Sequence, residues 1–169
     1  MHGWSVSKRA WMNFLRHLSV GLPIAVLCIQ GTVAQEDGWV SISETEYVVR
    51  GLKDSIDLEV SIKDGFHIQA NQLEDPLLIP SEISFRWPAG FSMDTLLYPP
   101  SYPFIVPGMA SPLKVYSGEI RISIVLAMEQ GILSGRHTIP GRFRYQACDS
   151  TKCYFPRELP LKLHIRAMN

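Results

Sequence analysis

The chain carries no excess of charge: Lys plus Arg number 16, Asp plus Glu number 16, and neither sign forms a long run. A balanced surface offers no basic footprint for nucleic acid and no attraction to an anionic membrane, so neither is an expected partner. Cysteine is scarce, at 3 residues, and the histidines are scattered. Structural zinc wants four Cys or His ligands, usually as two close pairs, and haem attachment wants CxxCH. Neither pattern occurs, so no metal and no cofactor are expected. No window shows a convincing helical period. No apolar run reaches the ~20 residues that a spanning helix needs.

An apolar stretch does occur near the start. LSVGLPIAVLCI, residues 18–29, follows Lys8, Arg9 and Arg16, is interrupted by Gly21 and Pro23, and precedes GTVAQED. A basic beginning, a short apolar centre and a small residue at Ala34 read as a secretory signal over residues 1–34. Leu27 is too bulky for a lipidation box at Cys28, so cleavage is expected and Cys28 leaves with the signal. What remains, 35–169, is one exported domain, long enough to bury a core without covalent help. It keeps two cysteines, Cys148 and Cys153, in a compartment where disulfides persist.

The exported part reads as strands. In DSIDLEVSIKDG, Ile56, Leu58, Val60 and Ile62 alternate with polar residues, which is period two with one buried face. SEISFRW repeats it through Ile83, Phe85 and Trp87, GEIRISIVLAM through Ile120, Ile122, Ile124 and Leu126, and LPLKLHI through Leu159, Leu161, Leu163 and Ile165. RFRYQAC places Phe143 and Tyr145 on one face, and WVSISETEYVV is a weaker strand. Short strands with one buried face need a second layer, so the expected fold is an all-β sandwich. Residues 96–116, LLYPPSYPFIVPGMASPLKVY, break the pattern. Their prolines remove ladder donors, so this segment is expected to be a long ordered loop, either packed on the sandwich edge or covering something.

The two cysteines lie in YQACDSTKCYFP, residues 145–156, with four residues between them. Closing so short a loop stabilises the fold by only about 2 kcal/mol, which makes a poor staple. The bridge of immunoglobulin domains joins strands far apart in sequence, and this pair is not that bridge. A metal or copper site would have to borrow His67 or Met109, which lack ligand spacing. Dithiol–disulfide exchange fits better. A strand–loop–strand connection can bring the two within bonding distance, and Lys152 and Arg157 near Cys153 favour thiolate while Asp149 beside Cys148 opposes it. A binding or adaptor sandwich with a static disulfide is the competing reading.

At these residues the chain resembles the amino-terminal periplasmic domain of the DsbD thiol:disulfide interchange family. The shared signature runs tyrosine, glutamine, a small residue, cysteine, a short polar loop, cysteine, then proline: here Tyr145, Gln146, Ala147, Cys148, Cys153 and Pro156, with Lys152 in the loop. KDGFHIQAN, LLYPPSYPF, VYSGEIRISIVL and LPLKLHI follow the family's order, over roughly residues 45–165. The resemblance implies an immunoglobulin-like β-sandwich that relays electrons in the periplasm by reversible Cys148–Cys153 exchange, with Cys153 bonding to partners and Cys148 resolving. It also implies a cap loop shielding the pair. Residues 98–106 occupy its place, with Phe104 or Tyr102 as the shielding ring, although this loop is longer and less acidic than the family's cap. Implied partners are thioredoxin-like or other periplasmic thiol proteins. The family's transporter continues into membrane helices and a thioredoxin-like domain, whereas this sequence stops at Asn169. A separate membrane electron transporter or another donor is therefore the expected reductant, and the domain is expected to be a monomer.

Overall fold

The computed structural model describes residues 34–36, 38–108 and 111–168. The signal segment (Ala34 apart), Cys28 and Met109 lie outside the described residues. In chain order the strands are β1 (Ala34–Glu36), β2 (Val40–Ser43), β3 (Glu46–Arg50), β4 (Lys53–Ile62), β5 (His67–Gln69) and β6 (Glu82–Phe85). They continue with β7 (Phe91–Leu97), β8 (Tyr102–Phe104), β9 (Leu113–Tyr116), β10 (Glu119–Met128), β11 (Gly135–Tyr145), β12 (Ala147–Cys148) and β13 (Arg157–Met168). The described residues contain no helix.

Two sheets form an immunoglobulin-like sandwich. One runs β1-β2-β4-β10-β7 and the other β3-β13-β11-β6. The period-two pattern decides which residues meet between them. Ile56, Leu58, Val60 and Ile62 of β4 and Ile122, Ile124 and Leu126 of β10 point inward, with Ile122 opposite Leu58 and Ile124 opposite Ile56. Ile139, Phe143 and Tyr145 of β11 and Leu159, Leu161, Leu163 and Ile165 of β13 point back from the other sheet into the same core. Most of the buried side chains are aliphatic, and their removal from water is the main stabilising term.

Strand β11 is longer than RFRYQAC suggests, because Pro140 and Gly141 continue it. The Pro140 carbonyl accepts from Arg86 N at 2.8 Å. Its ring nitrogen therefore faces the same side, just past the end of β6, where no ladder donor is required. Gly141 is held by crowding: a Cβ there would lie 2.6 Å from the Phe85 ring and 2.7 Å from the Ser84 carbonyl. Gly141→Ala is accordingly expected to lower stability in urea denaturation by roughly 1–3 kcal/mol, the usual cost of overpacking.

A third sheet, ordered β12-β5-β9-β8, sits beside the sandwich. It corrects the expectation that 96–116 is loop throughout. Tyr102 pairs with Val115 and Phe104 with Leu113, so two short strands form inside the proline-rich segment. Pro103 is tolerated because β8 is the outermost strand of its sheet. The turn into β5 is made by Lys63–Phe66, closed by Phe66 N donating to the Lys63 carbonyl at 3.0 Å, with Gly65 at φ 81°.

Candidate functional site

The small sheet has two faces, and alternation assigns them. Ile68, Ala147 and Tyr116 lie side by side in register and turn toward the sandwich core, where all three are buried. Their neighbours turn the other way. Cys148 is opposite His67, Gln69 is opposite Val115, and Val115 is opposite Tyr102. This outer face carries a separate apolar cluster of Val106, Leu113, Val115 and Cys148, against which Phe104, Leu78 and Cys153 pack.

The cysteines form a disulfide across a tight hairpin. Asp149 N donates to the Lys152 carbonyl at 2.9 Å and Tyr154 N to the Ala147 carbonyl at 2.8 Å, which brackets Cys148 and Cys153 as a directly opposed pair. Their S–S distance is 2.07 Å. Cys148 is fully buried, whereas Cys153 is half-exposed. The two sulfurs are thus unequally available.

Asp149 builds the turn. Its carboxylate accepts from Thr151 N and Thr151 Oγ1 at 2.7 Å each, from Lys152 N at 2.9 Å and from the Tyr154 hydroxyl at 2.6 Å. The Thr151 side chain, then Tyr154 and the two backbone donors, hold the Asp149 carboxyl well below the usual carboxylate range. Donating to that carboxylate in turn pushes the Tyr154 hydroxyl up. A carboxyl whose native pKa is depressed stabilises the fold above its unfolded pKa and loses that contribution as pH falls through the native one. Asp149→Ala should therefore melt at a lower temperature than the parent at neutral pH. The gap should narrow as pH drops below about 4, the ordinary aspartate value; a gap that stays constant with pH would show that the carboxylate charge is not what holds the turn.

The second arm of the hairpin is anchored by rings. Tyr154 packs on Trp39 with centroids 4.5 Å apart, and Trp39 stacks on Phe66 at 5.4 Å. The cations picked out by the sequence go to these rings: Arg157 lies 3.6 Å over Trp39 and Lys152 4.9 Å over Tyr154. The inequality of the two sulfurs therefore rests on burial.

The motif residues divide by role. Tyr145 is core, stacked on Phe143 at 5.6 Å. Gln146 ties the hairpin down: its Oε1 accepts from Ile79 N and its Nε2 donates to the Tyr154 carbonyl, both at 3.0 Å. Pro156 is exposed, following the hairpin. Phe104 lies against the cysteine cluster and 3.7 Å from the His67 ring, centroid to centroid. Tyr102 stands farther out, 6.1 Å from His67, with its hydroxyl on Ser117. His67, scattered in sequence, belongs to the site. Burial pushes its imidazole down, and Nδ1 has no hydrogen-bond partner among the described residues. Gln69 was not legible as a site residue: its Nε2 lies 3.2 Å from Cys148 Sγ and 3.8 Å from Cys153 Sγ.

The fold and this hairpin define a small β-sandwich domain that displays one disulfide on an accessory sheet. Among solved structures, the chain is similar to the N-terminal periplasmic domain of ScsB from Proteus mirabilis, at 17% identity and TM-score 0.56, over 78% of this chain and 50% of that one. The chain thus spans half the length of that structure, and the likeness is one of fold. It is also similar to the Neisseria meningitidis DsbD N-terminal domain in its reduced form, at 16% identity and TM-score 0.42, over 65% of this chain and 76% of that one. No family model and no curated protein sequence matches the chain.

Proposed function

We propose that this protein is a periplasmic thiol–disulfide exchange protein that relays electrons by reversible opening of the Cys148–Cys153 bond. One observation carries the reading: the bond lies outside the sandwich core, with one sulfur buried and the other half-exposed. A disulfide placed to hold the fold would join the two large sheets. This one closes a hairpin already held by Asp149 and by the rings around Tyr154. The export signal read over residues 1–34 and the periplasmic origin of the ScsB domain support the location. The partners are thioredoxin-like proteins. Ile105, next to Phe104 in the chain, and Phe155, two residues after Cys153, are 75% and 91% exposed and offer them apolar contact.

The test is the reduction potential, measured by equilibration with glutathione. An exchange disulfide is expected to stand above about −300 mV, and a value well below that would leave the static-disulfide reading in its place. Replacing both cysteines should lower stability by no more than about 2–3 kcal/mol, since the closed loop is short.

A further inference from the structure

Gln69 is one of two fully buried polar residues among the described residues. Its backbone is fixed: Gln69 N donates to the Gln146 carbonyl at 3.0 Å, and Ser81 Oγ donates to the Gln69 carbonyl at 2.5 Å. Its side-chain amide is less well served. Nε2 points at the two sulfurs, and Oε1 has no hydrogen-bond partner among the described residues. Burying a half-satisfied amide is costly, and a divalent sulfur is a weak acceptor that returns little of that cost. An apolar side chain would serve the oxidised fold better. The position makes sense if the acceptor becomes an anion, because hydrogen bonds to charged acceptors are about twice as strong as neutral ones.

We infer that Gln69 is a catalytic residue of disulfide exchange, its Nε2–H receiving the charge that develops on the Cys148 sulfur when the bond opens. The inference rests on the exchange reading and names the group that makes the buried sulfur a leaving group. An incoming thiolate attacks Cys153 Sγ, the less buried end. The S–S bond breaks, its electron pair passes to Cys148 Sγ, and a mixed disulfide forms through Cys153. A second thiol of the reductant then attacks the incoming sulfur and releases Cys153, so the pair gains two electrons and the reductant leaves as a disulfide. The Cys148 thiolate is formed among Val106, Leu113 and Val115, away from water, where an anion is strongly disfavoured. The titratable groups nearby are His67 opposite it and Asp149, Lys152 and Tyr154 in its hairpin, the Tyr154 hydroxyl being spent on Asp149. His67 is biased toward its neutral form, Asp149 is engaged in the turn and Lys152 lies over Tyr154. The amide is left to meet the charge.

The test uses small thiols, so it does not depend on a protein partner. Gln69→Leu and Gln69→Met are compared with the parent for the rate of reduction by dithiothreitol, the equilibrium with glutathione and thermal stability when oxidised. Both variants are expected to be reduced roughly tenfold more slowly. Their equilibrium should shift roughly tenfold toward the disulfide, which is about 30 mV more reducing, with oxidised stability unchanged or raised. Unchanged rate and equilibrium would overturn the inference, and so would loss of oxidised stability or of folding in both variants, which would make Gln69 structural. If instead the variants behave as expected but the parent captures no protein thiol, the amide's role stands and the relay falls.

Discussion

Cys148→Ala is expected to accumulate mixed disulfides with protein thiols through Cys153, while Cys153→Ala accumulates few. Lys152 and Arg157, which by position in the sequence favour thiolate at Cys153, lie over rings. Burial supplies a firmer reason. In-line attack needs a sulfur that an incoming thiolate can reach, and Cys153 is half-exposed where Cys148 is fully buried. In Cys148→Ala no partner cysteine remains in the hairpin to resolve an adduct, so it persists. In Cys153→Ala the remaining thiol lies beneath Phe104, Leu113 and Val115. A difference in barrier of only ~1.4 kcal/mol makes the yields differ by about tenfold. Non-reducing gels of cells trapped with acid would read the yields directly, and equal capture by both variants would reverse the assignment.

Phe104→Ala is expected to speed reduction of the disulfide by glutathione by about tenfold, the effect of lowering a barrier by ~1.4 kcal/mol. Phe104 packs on the cysteine cluster and against His67, so removing its ring is expected to open a path to the sulfurs. Tyr102→Ala should act more weakly, since its ring lies farther from His67 and its hydroxyl bonds to Ser117. The reverse order would make Tyr102 the shield, and no change in either variant would remove this segment from the role of lid.

The strands that the sequence made legible are those with one dry and one wet face. β4, β10 and β13 each run ten residues or more and alternate throughout, so period two stands out. β7 does not, because as an edge strand it is mostly exposed or half-exposed and offers little contrast. β5, β8 and β12 span two or three residues, too few for any period. The cysteine pair was legible because its spacing is chemically restrictive. Gln69 was not, since a polar residue between Ile68 and Ala70 reads as an ordinary wet position. Only the long-range pairing of β5 with β9 and β12, and the covering of the sheet's outer face, reveal that it is buried against sulfur.

The alternation of β5 and β9 also governs which changes this domain can absorb. Neighbouring positions serve different masters: Ile68 and Tyr116 answer to the sandwich, Gln69 and Val115 to the disulfide. Point substitutions on the outer face can thus retune the chemistry while leaving the interior filled as before. A one-residue insertion or deletion has the opposite character, because it exchanges the faces at once, sending the amide inward and an isoleucine against the sulfur. In these two strands, spelling is negotiable and length is not.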